Sequence, residues 1–318
     1  MRSFLLTALD VGLLALFWLV FFWPVLVAKD HLIPYDLIDQ HYMFQGFIHR
    51  ALATGESPWW SPDILGGYPI VADPLTALFY PPNAAMHLLT RGDFLPYYRM
   101  EVQLALHFLW AALGAYALAR ALTGSRMGGL VAGLTFAFGG FFAWHVPHLS
   151  PLSSLSWLPW TLFAYWHAVT RRSLFWTALG AASFGMLVLA GHALTILQAG
   201  YLIGGLAVAV ALLTYRNDPS RAGWALGAGL AIGVLGVGLA AVHEPERDAG
   251  IGRMQQRSLA LDHVPVIDGR DRRQPFGGAG DEVRHDRIDR DAAPGDHDPG
   301  LPGRAEIGGD TAGAQLAL

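Results

Sequence analysis

Cysteine is absent from the 318 residues. That excludes disulfide scaffolds, thiolate metal sites and cysteine nucleophiles together. Charge is scarce: Asp, Glu, Lys and Arg make up 14% of the chain and hydrophobic residues 53%. An ordinary soluble domain carries about a quarter charged residues, so the composition argues against a cytosolic enzyme. The net charge of −4 and the lack of any basic run give nucleic acid no place as a partner. Lysine is nearly missing. Lys29 is the single one, and every other basic residue is arginine. With abundant Ala, Gly and Pro, that bias has the look of a high-GC coding sequence.

What charge there is lies unevenly. Residues 1–242 hold 21 charged side chains, and residues 243–318 hold 25. The tail has no Trp or Tyr and one Phe, Phe276. A segment of that composition cannot bury enough apolar surface to offset its ordering entropy. It reads as a disordered tail or as the product of a shifted reading frame.

Before the seam, seven stretches are long and apolar enough to cross a bilayer, which takes roughly 17–25 residues of helix. They are 4–28, 98–122, 127–144, 151–169, 174–190, 193–215 and 222–242. The expected fold is an all-α integral membrane protein of about seven transmembrane helices, with a large loop at 29–97. The first span is too long, and lacks the small-residue cleavage site, for a removed signal peptide. It reads as an uncleaved anchor. Arginines set the orientation. With the N-terminus inside, the inner segments hold Arg2, Arg120, Arg126, Arg171, Arg172, Arg216 and Arg221, and the short outer connectors hold none. The large loop is then outside. Glycines at 180–185, 200–205 and 227–238 are expected to let helices pack closely.

The loop contains two amphipathic pieces. Leu37, Phe44, Phe47, Ile48 and Leu52 recur at helical spacing, and a second piece at 74–89 is broken by Pro81-Pro82. Asp36 stands just before the first piece. It suits a general base acting on an acceptor hydroxyl, and equally an N-cap, with Asp39 completing a near capping box. Asp39 is the second catalytic candidate. Asp73-Pro74 reads as a helix entry. Arg99, Gln103 and His107 recur every four residues, one stripe at the outer end of the second span. Such a stripe could hold the phosphate of a lipid-linked donor. It could equally snorkel to headgroups and bond to neighbouring helices. His145, His148 and His192 fall in or beside short outer connectors, at spacings that match no strong zinc motif. No cofactor is expected, although a divalent metal is not excluded. Asp10 lies near the inner end of the first span, where it is expected to reach the interface. Trp59, Trp60, Trp144, Trp157 and Trp160 read as an interfacial belt.

The loop opens Pro34-Tyr35-Asp36-Leu37-Ile38-Asp39-Gln40 and runs through Gly55-Glu56-Ser57-Pro58-Trp59-Trp60, Gly67-Tyr68-Pro69, Ala72-Asp73-Pro74 and Phe79-Tyr80-Pro81-Pro82. Then come His107, Leu118-Ala119-Arg120, Trp157-Leu158-Pro159-Trp160 and Ala190-Gly191-His192. In this order, residues 1–242 resemble the bacterial YfhO-type membrane proteins, which are similar to the GT-C class of polytopic glycosyltransferases. The resemblance implies transfer of a sugar from a polyprenyl-phosphate carrier to an acceptor outside the membrane. It implies that the first-loop acid, here Asp36, is catalytic, and that basic residues such as Arg99 and His107 meet the lipid phosphate. Two other readings stand beside it: a transporter or lipid flippase, and a truncated, non-catalytic membrane fragment. Polar groups gathered at one face count against a transporter, whose polar sites lie near the midplane.

Overall fold

The structure, a computed structural model, describes residues 2–29 and 31–241. The expected seam at 242 and the tail beyond it lie outside the described residues. Within them every regular element is helical, apart from one antiparallel bridge between Ser61 and Tyr68.

Helix α1 (Arg2–Phe21) continues through a π-turn at Pro24–Ala28. In the loop, a π-helical stretch at Leu37–Tyr42 runs into α2 (Met43–Thr54), and α3 (Pro81–Leu89) follows two 3-10 turns. The expected amphipathic pieces are therefore both helical. Phe44, Ile48, Ile64 and Ile70 form a small apolar core of the loop's own. Asp73 is a helix cap as read, accepting from the Leu75 N–H at 2.9 Å. Asp36 is not: it heads the helical stretch, but its side chain makes no cap bond.

The remaining helices are α4 (Tyr97–Thr123), α5 (Arg126–Phe138), α6 (Gly140–Trp144), α7 (Leu149–Ser156), α8 (Leu158–Arg171), α9 (Leu174–Leu189), α10 (Ala193–Tyr215) and α11 (Pro219–Ala241). Four stretches are long and apolar enough to cross a membrane: α4, the α5–α6 pair, α10 and α11. Two shorter apolar helices, Leu5–Phe21 and α9, accompany them. The 151–169 stretch, expected to be continuous, is broken between α7 and α8. Pro159 sits in the first turn of α8, where it lacks the N–H that an unbroken helix would need. Helices α5 and α6 part at Gly139, whose backbone is extended (ψ 173°). A Cβ there would lie 2.2 Å from the Thr135 carbonyl oxygen, so only glycine turns this corner.

Two apolar cores organise the bundle. The first surrounds α4, where Met100, Leu104 and Phe108 are fully buried against Phe22, Phe142 and Leu152. The second joins α8 to α11 through Tyr165, Phe184, Ile203 and Ile232. Some of the small residues do bring helices together. A Cβ on Gly180 would meet Ile232 at 2.6 Å, and one on Gly236 would meet Phe184 at 2.8 Å. Gly200, Gly204 and Gly205 face open space instead, so the expected close packing holds for α9 and α11 but not along that face of α10. The tightest approach is at Gly191, between α9 and α10. Its φ is +84°, and a Cβ would fall 1.9 Å from the Pro74 carbonyl oxygen.

At the end of the bundle away from the loop, Asp10 departs from expectation. It is buried (1% exposed). Its carboxylate accepts a forked pair from Arg126, Nε at 2.9 Å and Nη2 at 2.6 Å, and a third bond from the Tyr116 hydroxyl at 2.8 Å. Arg120 bonds Thr7 and the Tyr116 oxygen. The burial of Asp10 follows from these partners: reaching the interface would forfeit three hydrogen bonds. The cluster ties α1, α4 and α5 together.

Candidate functional site

Most of the groups singled out in the sequence gather at the loop end of the bundle, in two places. The first holds Asp36. Its backbone is fixed from both sides. Three residues earlier, Ile33 is bonded twice to α4: its N–H donates to Glu101 Oε1 at 2.9 Å, and its carbonyl accepts from the Tyr97 hydroxyl. Tyr35 then takes φ 63°, a left-handed conformation that a bulky residue adopts only when its surroundings demand it. On the other side Leu37 is fully buried. Asp36 is left half-exposed between these anchors, its Oδ2 3.4 Å from His148 Nε2.

Other imidazoles stand around this pair. His145 stacks on Phe141 at 4.1 Å between ring centroids, and on its other side lies 5.5 Å from the His148 ring. His192 caps α10, its Nδ1 accepting from the Thr195 N–H. Burial pushes its pKa down, with His145 and His148 adding to the effect. His41, on the Asp36 helix, is pushed down to about 4, chiefly by burial, with Asp36 opposing and His148 reinforcing. Asp39 is exposed, with no ion pair to another described residue. Among the described residues no three His, Asp or Glu side chains converge on a point that would hold a metal ion.

The second place is a groove of about 460 Å³ along the outer turns of α4, floored by Leu106, Leu109 and Leu113 and flanked by α3. Arg99, Gln103 and His107 all line it, so the stripe read from the sequence does share one surface. Arg99 stands exposed and reaches only the Leu89 carbonyl, at 3.4 Å. The other two are engaged elsewhere, and their hydrogen bonds have a forced direction. His107 Nδ1 faces the Gln103 carbonyl oxygen at 2.7 Å, which only accepts, so Nδ1 carries the proton. His107 Nε2 must then accept from the Tyr80 hydroxyl at 2.7 Å. The Tyr80 oxygen accepts in turn from Trp157 Nε1–H at 2.7 Å. Gln103 is fixed in the same way. Asn83 Nδ2 donates to the Ala77 carbonyl at 2.9 Å, so its Oδ1 faces Gln103 and accepts from Gln103 Nε2 at 2.6 Å. Every N–H of His107, and the Gln103 amide hydrogen that reaches across, is therefore committed inside the protein. Of the three, Arg99 alone brings a charge and several donors to an anion; Gln103 keeps one amide hydrogen beyond its bond to Asn83.

Tyr80 and Asn83 form a wall behind the groove through their bonds to His107 and Gln103. On their other side they line a small polar cavity with His41, Gln45, Ser150 and Ser153. Several buried polar atoms at this end lack a hydrogen-bond partner among the described residues: Gln103 Oε1, Ser153 Oγ, His148 Nδ1 and His87 Nδ1. Burial pushes the Tyr80 pKa up and takes His87 down to about 4. Both therefore stay uncharged at neutral pH.

Tyr80, Asn83, Tyr97 and Glu101 were not among the sequence candidates. Tyr80 and Asn83 belong to the Tyr-Pro-Pro-Asn entry of α3, which looks like an ordinary turn until the fold sets it against α4. Glu101 carried a signal in plain view. It is the single acid within α4, and ionisable groups inside membrane helices are rare enough to be read as functional by default.

The fold and this end of it define an all-α protein whose longest helices suit a bilayer and whose polar side chains gather beside one large loop. No family, curated protein or solved structure matches the chain.

Proposed function

We propose that the chain is a membrane glycosyltransferase of the GT-C kind, moving a sugar from a polyprenyl-phosphate carrier to an acceptor outside the membrane. One observation carries the reading. A half-exposed carboxylate, Asp36, and a cation at the mouth of an apolar groove, Arg99, lie at the same end of the bundle, on loop and helix that are bonded to each other. In this reading seven segments cross the bilayer, the broken α7–α8 pair counting as one, with the N-terminus inside and the 29–97 loop outside. The carrier's prenyl chain lies along Leu106, Leu109 and Leu113, and its phosphate meets Arg99 through charge-assisted hydrogen bonds. Asp36 takes the proton of the acceptor hydroxyl as that oxygen attacks the sugar. The bond from the sugar to the phosphate breaks, and the phosphate leaves with the electron pair, its charge held by Arg99. His107, its one N–H committed, and Gln103, held through one amide hydrogen by Asn83, shape the groove wall, and Arg99 carries the charge that meets the phosphate. Asp39 supports the negative potential of the loop rather than the proton transfer.

The test needs neither the sugar nor the acceptor to be known. Purified protein in proteoliposomes is given a panel of polyprenyl-phosphate hexoses, and release of free polyprenyl phosphate is measured. The parent chain releases it. Asp36→Asn lowers the rate by about 10²-fold or more, and Arg99→Gln raises KM for the carrier by about tenfold. A parent chain that releases nothing from any carrier rejects the proposal. Full activity in Asp36→Asn removes Asp36 as the base.

A further inference from the structure

The first turns of α4 hold the strand of chain between α1 and Asp36 along several residues. The Tyr98 hydroxyl donates to the Leu26 carbonyl at 2.9 Å. The Lys29 ammonium sits over the Tyr98 ring, 4.7 Å from its centroid. Tyr97 and Glu101 close on Ile33 from both sides of its peptide units. Glu101 is the unusual member. Its side chain is 2% exposed, in a helix long and apolar enough to span a bilayer, and no cation pairs with it among the described residues. A buried carboxylate without a counter-charge is expensive, and an apolar residue would fill that volume without the expense. What the acid supplies is a strong acceptor for one backbone N–H, at 2.9 Å. That peptide lies three residues before Asp36, and the strained Tyr35 lies between them.

The geometry points to Glu101 as a positioning residue for Asp36. By gripping the Ile33 N–H it holds the chain in the register that forces Tyr35 left-handed and turns the Asp36 carboxylate toward His148. With the grip removed, Tyr35 relaxes to an ordinary conformation and Asp36 leaves its place, while the Arg99 groove, on the far side of the Tyr80–Asn83 wall, is untouched. The assignment rests on Asp36 being the base, as proposed above.

The experiment uses two readouts on the full chain in nanodiscs. The first is carrier turnover. The second is cleavage by an endoproteinase that cuts after lysine, which has one target, Lys29, inside the held strand. Glu101→Leu is expected to lower kcat on the order of 10²-fold, the effect of misplacing a reacting group by about 1 Å, with KM for the carrier unchanged. It also speeds cleavage at Lys29 about tenfold, as for the loss of one charge-assisted hydrogen bond. Glu101→Gln, whose amide oxygen still accepts from Ile33, restores both. Tyr97→Phe produces the same pair of changes in milder form and serves if Glu101→Leu fails to insert. An unchanged kcat in Glu101→Leu overturns the assignment, and so does unchanged protection of Lys29. If the parent chain turns over no carrier, it is the Asp36 reading that falls. The cleavage comparison then decides the grip alone: faster cleavage supports it, and equal cleavage rejects it.

Discussion

The Asp10 cluster and the loop end handle buried polarity in opposite ways. Away from the loop, Asp10, Arg126, Tyr116, Arg120 and Thr7 form a closed set. The Asp10 carboxylate takes three bonds, and its opposite charge is in direct contact. Nothing in that cluster asks for a further partner. At the loop end the groups are more numerous and the set is open. Gln103 Oε1, Ser153 Oγ, His148 Nδ1 and His87 Nδ1 are buried without partners, and Asp36 and Arg99 are left with capacity toward solvent. A buried polar atom left unpaired costs about 1–3 kcal/mol; the Asp10 cluster has none and the loop end has several, while His167 Nδ1 and Arg221 Nε are left unpaired at the end away from the loop. The closed cluster fastens three helices; the loop end is where something else can bind.

The largest expected effect tests the closed cluster. Asp10→Ala leaves the Arg126 guanidinium facing apolar helix surface and releases Tyr116. The thermal midpoint in detergent should fall by roughly 5 °C or more. Carrier turnover per folded molecule should be unchanged, because Tyr116 stands about 25 Å along α4 from Arg99. A loss of turnover at constant folded fraction would break the division between the two. Tyr80→Phe comes next. It removes one hydroxyl but strands two groups, Trp157 Nε1–H and His107 Nε2, and should destabilise by about 1–3 kcal/mol in denaturant unfolding. If the loss is negligible, the wall is looser than its 2.7 Å bonds imply. The most gradual effect is the pH dependence. His41 and His87 are both depressed to about 4 in the folded chain, from an ordinary value of 6.5. Between those values the unfolded chain binds more protons than the folded one. Stability is therefore full above pH 6.5 and declines as pH falls toward 4, by about 1 kcal/mol per pH unit for each group at most. Replacing His87 by Gln should flatten part of that slope, and an unchanged slope would show that His87 is not held neutral.

Much of this was legible in the sequence because it is local. Apolar run length marked the helices of α4, α10 and α11, and period marked α2 and α3. Asp73-Pro74 marked a cap. The four-residue spacing of Arg99, Gln103 and His107 placed them on one surface. What was hidden depends on contacts far apart in the chain. Asp10 looked like a snorkelling acid because its partner, Arg126, lies on another helix. Gln103 and His107 had two readings, as phosphate ligands or as bonds to neighbouring elements, because spacing shows which face a side chain occupies and not which of its hydrogens are engaged; the bonds to Asn83 and Tyr80 appear only in the fold. Asp36 had two readings, and the backbone removed one: held by Ile33 and Leu37, its side chain turns away from the helix N–H groups it was placed to cap. The α7–α8 break had its signal in Pro159, overridden there by the apolar length of the stretch.

Gly191 has a bearing on how the molecule comes together. Its missing side chain lets the α9–α10 connector press against the backbone at Pro74, deep within the loop that carries Asp36. The loop is thus seated on a piece of chain made long after it. At about 5–20 residues per second, the ribosome delivers that seat on the order of 10 s after the loop itself has been released. Until then the loop has its own small core and its bonds to α4, but no floor. The loop end of this protein is therefore completed only once the α9–α10 connector has been made, and a premature stop before it would leave a chain whose loop has nowhere to seat.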